Sequence, residues 1–387
     1  MEIRSIADIN QYVGTSINPL STPETIYELY SVPSFDSQYP EIIKGSDIGS
    51  TKATVEEGDV LICKINPRIN RVWVVKHHTT HPLLASSEWI VVRNNKIDSN
   101  YLKWYFSSPS FRKLIVSQVA GIGGSLTRAQ PKQVAKYPVP IPDFFTQKAI
   151  ASILDKLDDL ISLRKQQLAK LDELVKARFV ELFGDPVSNL MKWETPPLSD
   201  CLNSIENGKS FVCESGPRKD NWPAVLKLSA VTYGDYRAKE NKSVLDVKDF
   251  IQAAEIHAGD LLFTRKNTPE LVGMSAYVFE TEPYLMMPDL VFRLNTNEKC
   301  DKIFLWQLIN HDLFRTSISN LASGSAKSMS NISKERLSNL QIICPPVELQ
   351  SSFVEFVKQT HRQKLTIQRS LDKLEVLRKS LMQEYFG

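Results

Sequence analysis

The chain has 387 residues, 42% of them hydrophobic and 24% charged, which suits two to three soluble globular domains and excludes a disordered or fibrous protein. The formal net charge is +3, too weakly basic to show nucleic-acid binding by itself, so any such surface has to come from local clusters. No run of about 18 apolar residues occurs, and the opening MEIRSIADINQYVG carries charges where a secretory signal would need an apolar stretch; the expectation is a cytoplasmic protein with no membrane span. Cys63, Cys201, Cys213, Cys300 and Cys344 lie far apart along the chain with no CxxC pair, as reduced structural thiols would.

In chain order, Asp59–Lys64, Arg71–Val75 and Trp89–Val92 read as short strands, being β-branched or aromatic and bounded by turn residues. Ser99–Val119 reads as helical. A Gly/Ser-rich loop, Gly121–Thr127, and a Pro-rich strand, Tyr137–Pro142, follow. Residues 143–183 then contain neither Gly nor Pro and carry apolar residues at heptad spacing: Leu154, Ile161, Leu168, Val175 and Leu182, flanked by Leu157 and Leu171. Gly184-Asp185-Pro186 ends this helix in the usual Gly-then-Pro way.

The same order then returns. Asp260–Arg265 and Asp289–Arg293 read as strands, Lys302–Leu321 as helical, Gly324–Ser330 as the loop and Leu340–Pro346 as the Pro-rich strand. A second Gly- and Pro-free stretch, 347–386, has the seam Phe353, Val357, Ile367, Leu371, Leu374, Leu381 and Tyr385. Residues 121–184 and 324–387 superpose without a gap at an offset of about 203, so that Gln147 meets Gln350 and Phe183-Gly184 meets Phe386-Gly387, and the match extends upstream, where Phe111-Arg112 meets Phe314-Arg315. Arg164, Arg178, Lys364 and Arg378 interrupt the seams. Each helix alone also suits a bundle or linker helix within one domain. Two at equivalent places most economically pair as an antiparallel coiled coil, a rod of about 60 Å at about 1.5 Å per residue.

The fold class expected is therefore α+β: two mixed α/β domains separated by two long helices in an antiparallel coiled coil, with a pseudo-two-fold internal repeat. The segments are 1–142, 143–184, 185–346 and 347–387.

This arrangement resembles the specificity subunits of type I restriction-modification enzymes over nearly the whole chain. The residues that carry the resemblance are Lys192-Trp193-Glu194 through Leu198 to Asn207-Gly208-Lys209, the Gly-Asp-hydrophobic strands at 58–62 and 259–263, the two Gly/Ser loops, and Gln147 and Gln350 opening the long helices. The N-terminal repeat departs from the pattern in lacking the Trp-plus-Leu opening seen at 193–198, which suggests a slightly shortened first domain. The resemblance implies two target-recognition domains, each reading half of a bipartite site in double-stranded DNA. It also implies two methyltransferase subunits docked on the helices and motor-nuclease subunits that join them, with S-adenosylmethionine on the methyltransferase partners and no cofactor in this chain.

Residue chemistry points the same way. Reading a base needs donors and acceptors on semi-rigid loops, and holding a phosphate needs cations. Lys64, Asn66, Arg68 and Arg71 follow a strand, and Arg265, Lys266, Asn267 and Thr268 follow its counterpart. These residues also suit a solvated basic turn; their recurrence in both repeats weighs toward DNA. Gly123, Gly124, Ser125, Thr127 and Arg128, with Ser325, Lys327 and Ser328, supply small residues, hydroxyls and charge that let backbone N–H groups approach phosphate, although a ligand-free surface loop has the same composition. No Walker loop, methyltransferase motif, nuclease carboxylate cluster or nucleophile elbow is present, and His77, His78 and His81 lack a completing metal ligand; a non-catalytic recognition subunit is expected. The differing sequences Trp73–His78 and Val272–Tyr277 predict different half-sites, hence an asymmetric target. A fused methyltransferase-specificity protein and a protein-binding coiled-coil scaffold are the competing readings.

Overall fold

A computed structural model of the chain describes residues 2–117, 127–322 and 329–387. The architecture is α+β and duplicated. It forms two compact units: Met1–Gln166 with Gln368–Gly387, and Gln167–Ile367. Each long helix starts in one unit and ends in the other.

In the first unit, Val60–Cys63 is the central strand of a three-stranded antiparallel sheet, between Val72–Val74 and Trp89–Val92. Side chains alternate across a strand, so its four buried residues serve two cores. Val60 and Ile62 face Tyr105, Phe106, Phe111 and Ile115, while Leu61 and Cys63 face Tyr30, Trp73 and Trp89. A five-stranded sheet, not anticipated from the sequence, is built from Ser16–Ile17, Lys52–Thr54, Leu83–Ala85, Ile26–Tyr30 and Glu41–Lys44. Its strands are two to five residues long, too short to show a clear period.

The second unit repeats the plan. Leu261–Thr264 lies between Ser275–Tyr277 and Val291–Thr296, all antiparallel, with Leu202–Asn207 on the outer side of Val291–Thr296. Leu261 and Phe263 face one core and Leu262 the other.

Each expected helix after the sheet is two helices. Ser99–Phe106 and Pro109–Ser117 are divided at Ser107-Ser108-Pro109, since proline suits a first helical turn and Ser108 Oγ accepts the Phe111 N–H at 3.1 Å. Lys302–Asn310 and Arg315–Ser319 are the counterparts.

The opening of the first unit corrects the sequence reading. Glu2–Ser5 pairs antiparallel with Pro138–Ile141, and the Ile6 N–H donates to Tyr137 O at 3.0 Å. In the second unit the Leu198 N–H donates to Leu340 O at 2.8 Å. Tyr137 and Leu340 are aligned positions, so Ile6 stands where Leu198 stands, both buried. The Leu half of the opening thus has its counterpart in Ile6, while no Trp stands among residues 1–8; Ser5-Ile6-Ala7-Asp8 against Pro197-Leu198-Ser199-Asp200 is the signal that could have found it.

The long helices span Phe144–Phe183 and Val347–Phe386 and run antiparallel within each unit. In the first, Leu154, Leu157, Ile161 and Leu371 are buried, Leu374 and Leu381 half-buried, and Asp158 meets Arg378 at 2.8 Å and Lys165 meets Glu375 at 3.2 Å. In the second, Val175 and Val357 are buried, Leu168, Leu171 and Ile367 half-buried, and Asp172 pairs with Lys364. Lys364 and Arg378, which break the apolar seam in sequence, are thus ion-paired across the helix pair. Cysteines distant in sequence also meet: Cys201 and Cys344 sulfurs are 3.9 Å apart, both as free thiols.

Candidate nucleic-acid interface

The turn at 64–71 grows directly from the central strand. Its start is anchored by backbone: the Lys64 N–H donates to Glu88 O at 2.9 Å and Lys64 O accepts from the Ala129 N–H at 2.8 Å. Asn66 and Asn70 take left-handed φ of 47° and 52°, a conformation asparagine tolerates better than most residues. The Cys63 N–H to Arg71 O bond, 3.0 Å, closes the hairpin. Arg68 is exposed, with Lys64, Asn66 and Arg71 half-exposed; the three cations make no ion pair among the described residues.

The fold brings this turn to the residues after the Gly/Ser loop. Ile65 and Arg128 form an antiparallel bridge, and the Asn66 N–H donates to Thr127 O at 2.9 Å. In the second unit Lys266 pairs with Asn331 and Asn267 with Ser330, and the Ile332 N–H donates to Arg265 O at 2.8 Å. Two stretches about 60 residues apart in sequence are therefore neighbours, in the same way, in both repeats.

Not every expected contact residue faces solvent. The Thr127 hydroxyl is buried, so that residue presents no hydroxyl to a ligand. Asn267 is also buried: its Nδ2 donates to Thr232 Oγ1 at 3.1 Å and its Oδ1 accepts the Thr268 N–H at 2.9 Å, which removes it as a base-reading amide. Arg128 shares its charge with Glu88 at 3.2 Å. Arg265 lies over the Phe292 ring, 5.3 Å from its centroid, with its Nε buried. Lys266 is half-exposed and Thr268 exposed. Gly123, Gly124, Ser125, Ser325, Lys327 and Ser328 lie outside the described residues.

Framework glutamines tie the start of each long helix to the helix that packs on the central sheet. Gln147 Nε2 donates to Pro142 O at 2.8 Å while its Oε1 accepts the Asp98 N–H at 2.9 Å; Gln350 makes the same bonds to Pro345 O at 2.8 Å and the Asp301 N–H at 2.9 Å. Asp98 and Asp301 cap the helices that pack on each central sheet. Among the described residues no group of three or more His, Cys, Asp or Glu side chains could hold a metal ion, and no helix is long and apolar enough to cross a membrane.

Fold and site together define a duplicated two-unit protein whose repeats each carry a basic turn, after the central strand, joined to the segment that follows the Gly/Ser loop. The chain belongs to the type I restriction modification DNA specificity domain family, whose model matches residues 2–173 and 191–376. It is 28% identical over 204 residues to the EcoEI specificity subunit of Escherichia coli, a match covering 51% of this chain and 34% of that subunit, about a third of its length. It is 24% identical over 357 residues to the MjaVIII specificity subunit of Methanocaldococcus jannaschii, covering 87% of this chain and 80% of that one. The fold matches the S subunit of a type I restriction-modification system from M. genitalium at a TM-score of 0.61 and 13% identity, covering 100% of this chain and 96% of that one. A chain from a structural study of type I R-M assembly and conformational transition matches at 0.56 and 16%, covering 100% and 97%.

Proposed function

We propose that this chain reads a bipartite, asymmetric target in double-stranded DNA, one half-site for each repeat. We propose further that it directs two methyltransferase subunits and the motor-nuclease subunits to that target, contributing recognition and no chemistry. S-adenosylmethionine would then sit on the methyltransferase partners. The observation that carries this reading is the joining, in both repeats, of the turn after the central strand to the segment after the Gly/Ser loop. An equivalent frame with different side chains suits two different half-sites: Asn66, Arg68 and Arg71 on one, Lys266 and Thr268 on the other. Arg can bind guanine in a bidentate fork, and Asn can do so with adenine. Leu160 and Leu163 on the first long helix and Val376 and Leu377 on the second stay 46%, 53%, 65% and 47% exposed, an apolar flank suited to a partner subunit.

The test is methylation sequencing of host DNA with and without this chain, together with pull-down of its partners. The expected result is a two-part asymmetric motif that vanishes on deletion, and two methyltransferase copies co-purifying. Unchanged methylation after deletion would overturn the reading in favour of a protein scaffold.

A further inference from the structure

The repeat aligns Phe111-Arg112 with Phe314-Arg315, and both phenylalanines are core residues. The arginines that follow differ in use. Arg315 donates Nη1 to Gly273 O at 2.9 Å and Nη2 to Val272 O at 2.8 Å, so its guanidinium spans from its helix to the end of the turn that begins at Arg265. Arg112 is exposed and makes no ion pair or side-chain hydrogen bond among the described residues, and Lys113 is the same. In the first unit it is Asn70 that ties turn to helix, its Nδ2 donating to Phe106 O at 3.1 Å. Beside that tie an open groove of about 470 Å³ is lined by Ile69, Asn70, Ser107, Pro109, Arg112, Lys113 and Val116, with no carboxylate among its lining residues.

We infer that this groove is a phosphate-binding surface for duplex DNA, continuous with the 64–71 turn and particular to the first unit. It rests on the reading of that turn as DNA-facing. Cations without carboxylate partners remain available to a polyanion, and each phosphate they neutralise releases counterions. The second unit has no matching pair at the aligned positions: Arg315 is bonded to backbone, the next residue is Thr316, and its turn carries the exposed Glu270. The first unit therefore carries more of the sequence-independent grip.

The experiment titrates the full chain with a mixed-sequence duplex of about 30 base pairs from about 50 to 200 mM salt, a range over which phosphate contacts dominate the loss of affinity. The Arg112→Ala/Lys113→Ala pair is expected to lower the slope of log affinity against log salt by about 1 to 2, with an unchanged melting temperature. Arg112→Gln/Lys113→Gln should do the same. Arg315→Ala should show the opposite split, a lower melting temperature with the slope kept. Wild-type slope and affinity in either double variant would overturn the groove and leave the DNA reading intact. No salt-dependent duplex binding by the unmodified chain would overturn the DNA reading and the groove with it.

Discussion

Arg93 holds Asp59 in a two-point fork, Nε to Oδ1 at 2.7 Å and Nη2 to Oδ2 at 2.7 Å, and the aligned Asp260 meets Arg293, Nε to Oδ2 at 3.0 Å, an arginine that comes from a different register position of the neighbouring strand, opposite Leu262. Each aspartate follows a glycine of positive φ, Gly58 at 90° and Gly259 at 91°, and each also accepts a backbone N–H from three residues earlier, that of Glu56 or His257. These contacts pin the start of the central strand from which each basic turn grows. The Asp59 side chain is almost wholly buried and that of Arg93 is 27% exposed.

Asp59→Ala is expected to destabilise the first unit by about 1 to 3 kcal/mol, because it removes the two-point partner of a half-buried guanidinium, leaving it only Glu56, and strands the Glu56 N–H. Hydrogen exchange at Val60–Cys63 checks this: protection should fall there and persist at Leu261–Thr264. Unchanged protection at Val60–Cys63 would show the fork to be dispensable.

Gln350→Leu is expected to cost about 1 to 3 kcal/mol, since it strands the Asp301 N–H and Pro345 O in a buried setting. The Gln350→Glu variant keeps the acceptor and loses the donor, so it should be damaged as well. Thermal unfolding of the two variants beside the unmodified chain measures this.

Both long helices end in a core phenylalanine. Phe386 lies 5.7 Å from Tyr101 and 5.9 Å from Tyr105 between ring centroids, and Phe183 lies 5.0 Å from Phe304 and 5.4 Å from Phe353. Phe386→Ala should therefore cost about 3 to 5 kcal/mol, the usual range for a buried ring removed from a core. The loss should register as faster exchange in Ser99–Phe106, on the first unit, although the substitution is at the far end of the chain.

His311 is buried beside Phe179, ring centroids 4.9 Å apart, and neither ring nitrogen has a hydrogen-bond partner among the described residues. Burial pushes its pKa below the ordinary histidine value of 6.5, with the charges of Asp312 and Asp185 and the Lys176 backbone opposing the shift and the Lys176 charge adding to it. A depressed histidine favours the neutral folded form, so its penalty is absent at pH 7 and above. It grows as pH falls through 6.5, because the unfolded chain takes up the proton first. The second unit should thus lose stability below that pH, and His311→Phe should flatten the profile in a melting-temperature series from about pH 8 to pH 5.

Much of the frame was legible because it depends on local pattern and on repetition. The span of both long helices follows from two Gly- and Pro-free heptad stretches bounded by proline and glycine, and the buried or half-buried state of Leu154, Ile161, Val175, Val357 and Leu371 follows from their spacing. The five-stranded sheet of the first unit escaped, since strands of two to five residues show no clear period. Residue type alone likewise placed Asn267 and Thr127 among groups facing a ligand, whereas the fold buries both side chains.

By itself, then, the sequence determined the duplication, the two helices, the α+β class and the family, all of which rest on spacing along the chain. Only tertiary structure decided which charges are free. Arg112 and Arg315 occupy the same place in the repeat, yet one faces an open groove and the other is bonded to Val272 and Gly273. Lys364 and Arg378 look like interruptions of the apolar seam in sequence but pair with Asp172 and Asp158. A side chain's availability depends on what the fold sets opposite it, and those partners come from tens to hundreds of residues away.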